Sequence, residues 1–237
     1  MTTPLSDRFA ARDGLGRVQL SEEVAGHLRD AIMSGALRPG EFIRLDAVAQ
    51  RLGTSVTPVR EALLLLRGED MVRLLPRRGF VVSPLSRVDI DDLFDIQADL
   101  AGELAARAAR RITDEQIDQL ASVNDRLMQA VAAGDADRIE VLEYEFHRAL
   151  NLCADSRKLA YVLRSASQYL PRHFYSGDAQ WRRAVRRDHT RLLAAARAHD
   201  ADAARDAIRA HVLDGRERLL QHLDEIDFWS DEERDGC

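Results

Sequence analysis

The chain has 237 residues, 46% of them hydrophobic and 31% charged, which is long enough for two modest domains with a core each. No apolar run approaches the roughly 20 residues that cross a bilayer, and the first residues lack the apolar centre of a secretory signal, so we expect a cytoplasmic protein without a membrane partner. The two cysteines, Cys153 and Cys237, lie far apart, which excludes a disulfide framework and a thiolate zinc site and leaves nitrogen and oxygen ligands for any metal.

The net charge of −6 is unevenly distributed along the chain. Residues 1–82 hold 12 basic and 10 acidic residues, whereas residues 83–237 hold 22 basic and 30 acidic residues. We expect residues 1–16 to form a flexible polar lead and residues 224–237, with seven of the acids, to form a mobile acidic tail. The remainder is close to neutral, so overall charge neither supports nor excludes binding to nucleic acid.

Three short helices are predicted after the lead. The first, in SEEVAGHLRDAIMSG, begins with Ser21 as its N-cap. Asp46 is placed to cap a short second helix, AVAQRL. The third lies in TSVTPVREALLLLRGED, with Thr57 as its N-cap and Pro58 at the first helical position. Their close spacing indicates one compact helical unit.

A β-hairpin is predicted directly after these helices. Two β-prone runs, MVRLL and FVVS, flank the turn residues 76–79. Three helices followed by a hairpin indicate a winged helix-turn-helix over residues 17–82. Residues 83–87 then read as a linker, and residues 88–223 as long helical segments separated by caps. The predicted fold is mainly α, with an N-terminal winged helix-turn-helix and a C-terminal all-α helical bundle.

The third helix and the hairpin tip carry the residues suited to DNA. In a helix-turn-helix, the N-terminal residues of the second helix meet base edges. Arg60 lies on the first turn, where it reaches guanine or phosphate, and the Thr57 hydroxyl can bind phosphate. Arg77 and Arg78 lie beside Gly79 at the wing tip, which suits the minor groove. The alternative is a set of solvated surface arginines. We predict that a homodimer binds a two-fold symmetric site on double-stranded operator DNA.

The stretch LGTSVTPVREALLLLRGEDMVRLLPRRGFVV resembles the winged-helix domain of GntR-family transcription regulators. The pattern of that family reads LGVSRTPVREAL, then a hydrophobic helix, then PRRGxxV. The resemblance implies that Thr57, Arg60, Arg78 and Gly79 contact operator DNA. Val56 stands where the family has an arginine, which removes one usual contact to phosphate or base.

Candidate metal ligands lie in the helical region. In LEYEFHRAL, Glu143 and His147 are four residues apart within an apolar stripe, so they share one helix face and either bond to each other or hold something. His189 and His211 also lie on apolar stripes and face inward. Three imidazoles and a carboxylate suit a divalent metal, Zn²⁺ first, with Ni²⁺, Mn²⁺ and Fe²⁺ as alternatives. The other interpretation is a set of core histidines that are satisfied by hydrogen bonds.

The helical region resembles the FCD domain of the FadR branch of the GntR family. In that domain, DxxxH on one helix and two later histidines about 22 residues apart bind a metal. The resemblance assigns Glu143 to the aspartate position and His147, His189 and His211 to the histidine positions. Gln97 stands where the family often has arginine, which implies an effector that is less acidic than usual.

These patterns predict a metabolite-responsive transcription regulator whose helical domain binds the metal and a small carboxylate effector. Gln97 and Asn151, which lies one turn beyond His147, are the predicted effector contacts. The alternative is a metal-dependent hydrolase or oxygenase that uses the same cluster, although the sequence contains neither a second ExxH helix nor an evident catalytic base. A purely structural metal, and activation as against repression, stay open at this point.

Overall fold

A computed structural model describes residues 15–229 of the chain, except for the side chains of residues 15–18, 172 and 173. The chain divides into two compact units. One comprises residues up to Ile32 together with Ala36–Pro84, and the other comprises Met33–Gly35 and the residues from Leu85 onward. Within residues 15–229, no helix is both long enough and apolar enough to span a bilayer.

The N-terminal part folds as a winged helix-turn-helix, as predicted. Its elements are α1 (Leu15–Met33), β1 (Phe42–Ile43), α2 (Leu45–Arg51), α3 (Val56–Gly68), β2 (Val72–Leu75) and β3 (Gly79–Val82). The strands form an antiparallel sheet in the order β1-β3-β2, and Leu75 pairs with Gly79 at the closed end of the hairpin. The turn requires positive φ at Arg77 (62°) and at Gly79 (96°), which a glycine adopts without strain.

Three predicted N-caps are wrong. Ser21 lies inside α1, and its hydroxyl donates to the Glu61 carboxylate at 2.6 Å, a contact that sequence position does not disclose. Helix α2 begins one residue before Asp46, with Arg44 as its N-cap. Helix α3 has Ser55 as its N-cap, which places Thr57 in the first turn. The first turn tolerates proline because its N–H groups have no intrahelical acceptor. Strand β1 was not predicted, because two residues are too short to show alternation.

The second unit is an all-α bundle, as predicted. Its helices are α4 (Arg87–Arg111), α5 (Asp114–Ala133), α6 (Ala136–Cys153), α7 (Arg157–Ala166), α8 (Arg172–Gly177), α9 (Ala179–Arg197) and α10 (Ala201–Glu225), with a 3-10 turn at Ser167–Tyr169. Capping boxes open α4 at Ser86 and α5 at Thr113, and Gly134 ends α5 with a φ of 68°. Local sequence therefore sets these helix ends.

Helix α4 is the central element of the bundle and contacts α6, α7, α9 and α10. Small residues allow this close packing: a Cβ at Gly102 would lie 3.0 Å from the Cγ of Arg209 on α10. The core beneath α4 combines Phe146 of α6, Leu192 of α9 and Ile208 of α10. The packing of α6, α9 and α10 around one core brings their inward faces together.

The predicted ends of the chain need correction. Helix α1 begins inside the predicted lead, and residues 1–14 lie outside the described residues. The predicted acidic tail starts too early, because α10 continues to Glu225 and both Phe228 and Trp229 are buried. The Trp229 indole N–H donates to the Asp224 carboxylate at 2.6 Å. The remaining tail residues, 230–237, also lie outside the described range.

Candidate functional site

The four predicted metal ligands meet at one point in the second unit. Helix α6 supplies Glu143 and His147, α9 supplies His189 and α10 supplies His211. One ligand atom from each side chain lies within 4.8 Å of the others. The three histidine Nε2 atoms surround Glu143 Oε1, at 3.0 Å for His147, 3.3 Å for His211 and 3.5 Å for His189. Residues as far apart as 143 and 211 therefore form a single cluster.

Packing against the core holds the cluster in place. His189 is only 1% exposed, and its ring stacks on Phe146 with 4.0 Å between the ring centroids and 12° between the planes. Phe146 itself is fully buried between the two cluster residues of α6. A buried aromatic stack restricts ring rotation, so the imidazole edge of His189 points toward Glu143.

Two side chains behind the cluster orient its histidines. Asn124 Oδ1, an acceptor, lies 3.0 Å from His189 Nδ1, so Nδ1 donates and Nε2 keeps a free lone pair. Asp188 Oδ2 lies 3.5 Å from His211 Nδ1, which favours a proton on that nitrogen as well. The Arg187 guanidinium balances the Asp188 carboxylate, with its Nε–H donating at 2.7 Å. Both histidines therefore present Nε2 to the centre of the cluster.

The surroundings shift the protonation of these groups. Burial favours the neutral form of Glu143, but the neighbouring His189 and His147 hold the pKa of this carboxyl well below its ordinary value. Burial lowers the pKa of His189 to about 4, despite the attraction of Glu143. Burial also opposes charge on His211, but contacts with Asp188 and Glu143 raise its pKa to about 9. Glu143 is therefore charged and His189 neutral at pH 7, and a proton on His211 must leave before its Nε2 can bind a metal.

The donor set fits a cation. Glu143 Oε2 and His189 Nε2 are buried and have no hydrogen-bond partner among the described residues. The neutral His189 also points a lone pair at a negative carboxylate oxygen, an arrangement that is unfavourable unless a positive charge lies between them. Three imidazole nitrogens and one carboxylate oxygen are ligands that divalent transition metals accept. The cluster can therefore hold a metal ion.

The cluster forms part of the wall of a cavity of about 400 Å³ inside the bundle. Glu143, His147 and His211 line this cavity, as do the two predicted effector contacts, Gln97 and Asn151. Most other lining side chains are apolar and include Phe94, Ile139, Leu163, Trp181 and Ile208. A largely apolar cavity with a few convergent polar groups is typical of a small-molecule site.

Sequence analysis missed Asn124 and Asp188. Both carried a detectable signal, because each is a polar residue within an apolar helical stripe. Asn124 lies between Leu120 and Leu127 on the buried face of α5, and Asp188 follows Val185 on the buried face of α9. A buried polar side chain needs a partner, and here the partners are the histidines of the cluster.

We expect Asn124→Leu to weaken metal binding about 10- to 100-fold, because His189 then loses the acceptor that orients its ring and selects its tautomer. Asn124→Asp, which keeps an acceptor at the same distance, should bind metal at least as tightly as the wild type. Competition with a chromophoric chelator measures both affinities. Equal affinity in the leucine variant and the wild type would show that Asn124 does not act through His189.

The predicted DNA contacts all lie on the surface of the first unit. Thr57 and Arg60 are exposed in the first turns of α3. Arg77, Arg78 and Gly79 form the hairpin tip, and both arginines are exposed there. The Arg78 guanidinium lies over the ring of Phe42, 4.9 Å from its centroid, which steadies this side chain beside the sheet. The structure therefore leaves two basic elements, the start of α3 and the wing tip, accessible to a ligand.

Comparison with known proteins gives consistent matches. Residues 92–214 match the FCD domain, and residues 20–82 match the family described as bacterial regulatory proteins, gntR family. The chain is 30% identical to the Nta operon transcriptional regulator of Aminobacter aminovorans, across 80% of this chain and 86% of that protein. It is 24% identical to the HTH-type transcriptional repressor RspR of Escherichia coli, across 90% and 95%. The solved structure of E. coli McbR/YncC is similar, with a TM-score of 0.67 and 26% identity, over 85% of this chain and 97% of that one.

Proposed function

The chain belongs to the gntR family of bacterial regulatory proteins and carries an FCD domain, and we propose that it is a transcription regulator controlled by a metal-bound metabolite. That it is a DNA-binding regulator, and not a metal-dependent hydrolase or oxygenase, follows from its family and its relatives. The nature of the metal, the class of effector and the assembly on DNA are the proposed parts.

We propose that Glu143, His147, His189 and His211 bind one divalent metal per chain, with Zn²⁺ as the first candidate. The convergence of three Nε2 atoms on one buried carboxylate carries this proposal. When bound, the metal would supply a positive charge with open coordination positions at the cavity wall. Zinc ranks first because it accepts both imidazole and carboxylate ligands, although Ni²⁺, Mn²⁺ and Fe²⁺ suit the same donors.

We propose that the effector is a small carboxylate that occupies the cavity beside the cluster. An oxyanion beside a cation avoids the cost of a buried, unpaired charge. The cavity also offers Asn151 as a hydrogen-bonding group and an apolar lining for the body of the molecule. Its volume of about 400 Å³ suits a small metabolite.

We propose that the winged helix of a homodimer binds a two-fold symmetric operator in the cytoplasm. Arg60 would read a base in the major groove, Thr57 would bind phosphate, and the wing tip would enter the minor groove. Repression is the proposed outcome, since the relative RspR is named a repressor. The effector regulates binding if it favours one arrangement of the dimer over another.

Thermal unfolding with and without metal tests this function. A carboxylate at about 100 times its Kd should stabilise the metal-loaded protein by about 2.7 kcal/mol, or about 5–10 °C in Tm, and should leave chelator-treated protein unchanged. The probes are a panel of small mono- and dicarboxylates, and mass spectrometry gives the metal content. Operator affinity is then measured by fluorescence anisotropy on a duplex that the wild type enriches from a randomised pool. Equal stabilisation of both forms would refute direct coordination, and unchanged operator affinity would refute regulation by the ligand.

A further inference from the structure

Gln97 is a buried hydrogen-bond donor that faces the cavity without a partner. Its side chain is 2% exposed, and its Nε2 has no acceptor among the described residues. It lies on α4, on a wall that also includes Phe94 and Ala101. A buried N–H group without an acceptor costs about 1–3 kcal/mol relative to a bonded one. A ligand atom that accepts a hydrogen bond at this position would remove that cost.

The surroundings of Gln97 are neutral. The lining residues contributed by α4 and α10 include neither lysine nor arginine, and across the cavity from α4 lies the backbone of Gly215. A Cβ at Gly215 would lie 3.7 Å from Phe94 and 3.6 Å from Tyr175, so aromatic rings enclose this end. The two lining arginines, Arg148 and Arg164, belong to α6 and α7 and are exposed. A negative charge brought to Gln97 would therefore be buried without a counter-charge from α4 or α10.

The opposite applies to a neutral oxygen. A hydroxyl, carbonyl or amide oxygen accepts the Gln97 N–H without bringing a charge into the apolar end of the cavity. The cluster of Glu143 and the three histidines is the one part of the wall where a carboxylate would meet a cation. The cavity thus separates a place for one anionic group from a place for one neutral acceptor.

We propose that Gln97 determines effector specificity: the ligand has a single carboxylate and, at its other end, a neutral acceptor oxygen that Gln97 binds, and dicarboxylates are rejected. This inference rests on the proposed function, because it takes the carboxylate to be held at the metal cluster. It narrows the ligand class from carboxylates in general to monocarboxylic acids with a distal hydroxyl, carbonyl or amide group.

Matched acids that differ only at the far end test the inference. Butyrate, succinamate and succinate share a four-carbon skeleton and end in methyl, amide and carboxylate, and valerate, glutaramate and glutarate form the longer set. Binding to zinc-loaded protein is measured by isothermal titration. In at least one set, the amide acid should bind about tenfold more tightly than the methyl or dicarboxylate member. Equal or tighter binding of the dicarboxylate in both sets, or no binding by any acid, overturns the inference.

Variants at position 97 assign the effect to the side chain. Gln97→Met keeps the volume but removes the donor, so the preference for the amide acid over the methyl acid should disappear while zinc content stays unchanged. Gln97→Arg supplies a cation, so the dicarboxylate should become the tightest member. Gln129→Met changes an exposed glutamine of α5 outside the cavity and should retain the wild-type order of affinities. A Gln97→Met protein that keeps the preference refutes the assignment.

Failure of the inference is separable from failure of the proposed function. If purified protein neither contains nor takes up a divalent metal, the proposed function is wrong and the inference falls with it. If metal is bound and carboxylates stabilise only the loaded form, the proposed function stands, and the order of affinities within the matched sets decides the role of Gln97 alone.

Discussion

His189→Ala is expected to lose the bound metal and a large part of the thermal stability that the metal provides. The wild-type imidazole is buried, stacked on Phe146 and oriented by Asn124, so no other side chain can replace its Nε2. Metal affinity should fall by more than about 100-fold, beyond the effect of losing a supporting residue. A metal at about 1,000 times its Kd stabilises by about 4 kcal/mol, which corresponds to about 8–16 °C in Tm for a chain of this size.

The metal contribution must be separated from lost packing, because His189→Ala also leaves a small hole beside Phe146. Chelator-induced lowering of Tm makes the separation: it should be large in the wild type and absent in the variant. His211→Ala should behave in the same way, whereas His199→Ala should keep its metal, since His199 is exposed and donates to the carbonyl of Ala109. Stoichiometric metal of native affinity in well-folded His189→Ala and His211→Ala proteins would refute the ligand set.

Arg60→Ala is expected to abolish sequence-specific operator binding. Arg60 is exposed in the first turns of α3, the part of a recognition helix that meets base edges. One bidentate arginine–guanine contact is worth about 1–3 kcal/mol of discrimination, and a two-fold symmetric dimer would lose two of them. Affinity for the enriched duplex should approach affinity for a scrambled duplex of equal length, as measured by fluorescence anisotropy.

A matched control separates base reading from loss of charge. Arg110→Ala removes an exposed arginine from α4 in the second unit and should leave operator affinity unchanged. Arg77→Ala, at the wing tip, should weaken binding to operator and scrambled duplexes by similar factors and reduce the slope of log affinity against log salt by about 1. If Arg60→Ala retains the wild-type ratio of specific to nonspecific affinity, α3 does not read the operator through this residue.

Much of the candidate site was predictable from residue type and spacing. Glu143 and His147 stand four apart in one apolar stripe, and His189 and His211 interrupt two others, so each could be assigned to an inward face without a structure. The convergence of three Nε2 atoms on one oxygen of Glu143 was not predictable, because it depends on how α6, α9 and α10 pack around Phe146. The orientation of His189 by Asn124 also joins residues 65 positions apart.

The sequence alone determined the order and type of the two units, the capping boxes at Thr113 and Gln116, and the hairpin around Gly79, because periodicity, caps and turns involve neighbours within a few residues. Tertiary structure decided where α1 and α3 begin, the addition of β1 to the sheet, and the burial of Phe228 and Trp229 in place of a mobile tail. It also decided that the Gln97 amide faces a cavity without a partner. These features depend on contacts between distant segments, and the free energy of such contacts outweighs the local preferences that the sequence displays.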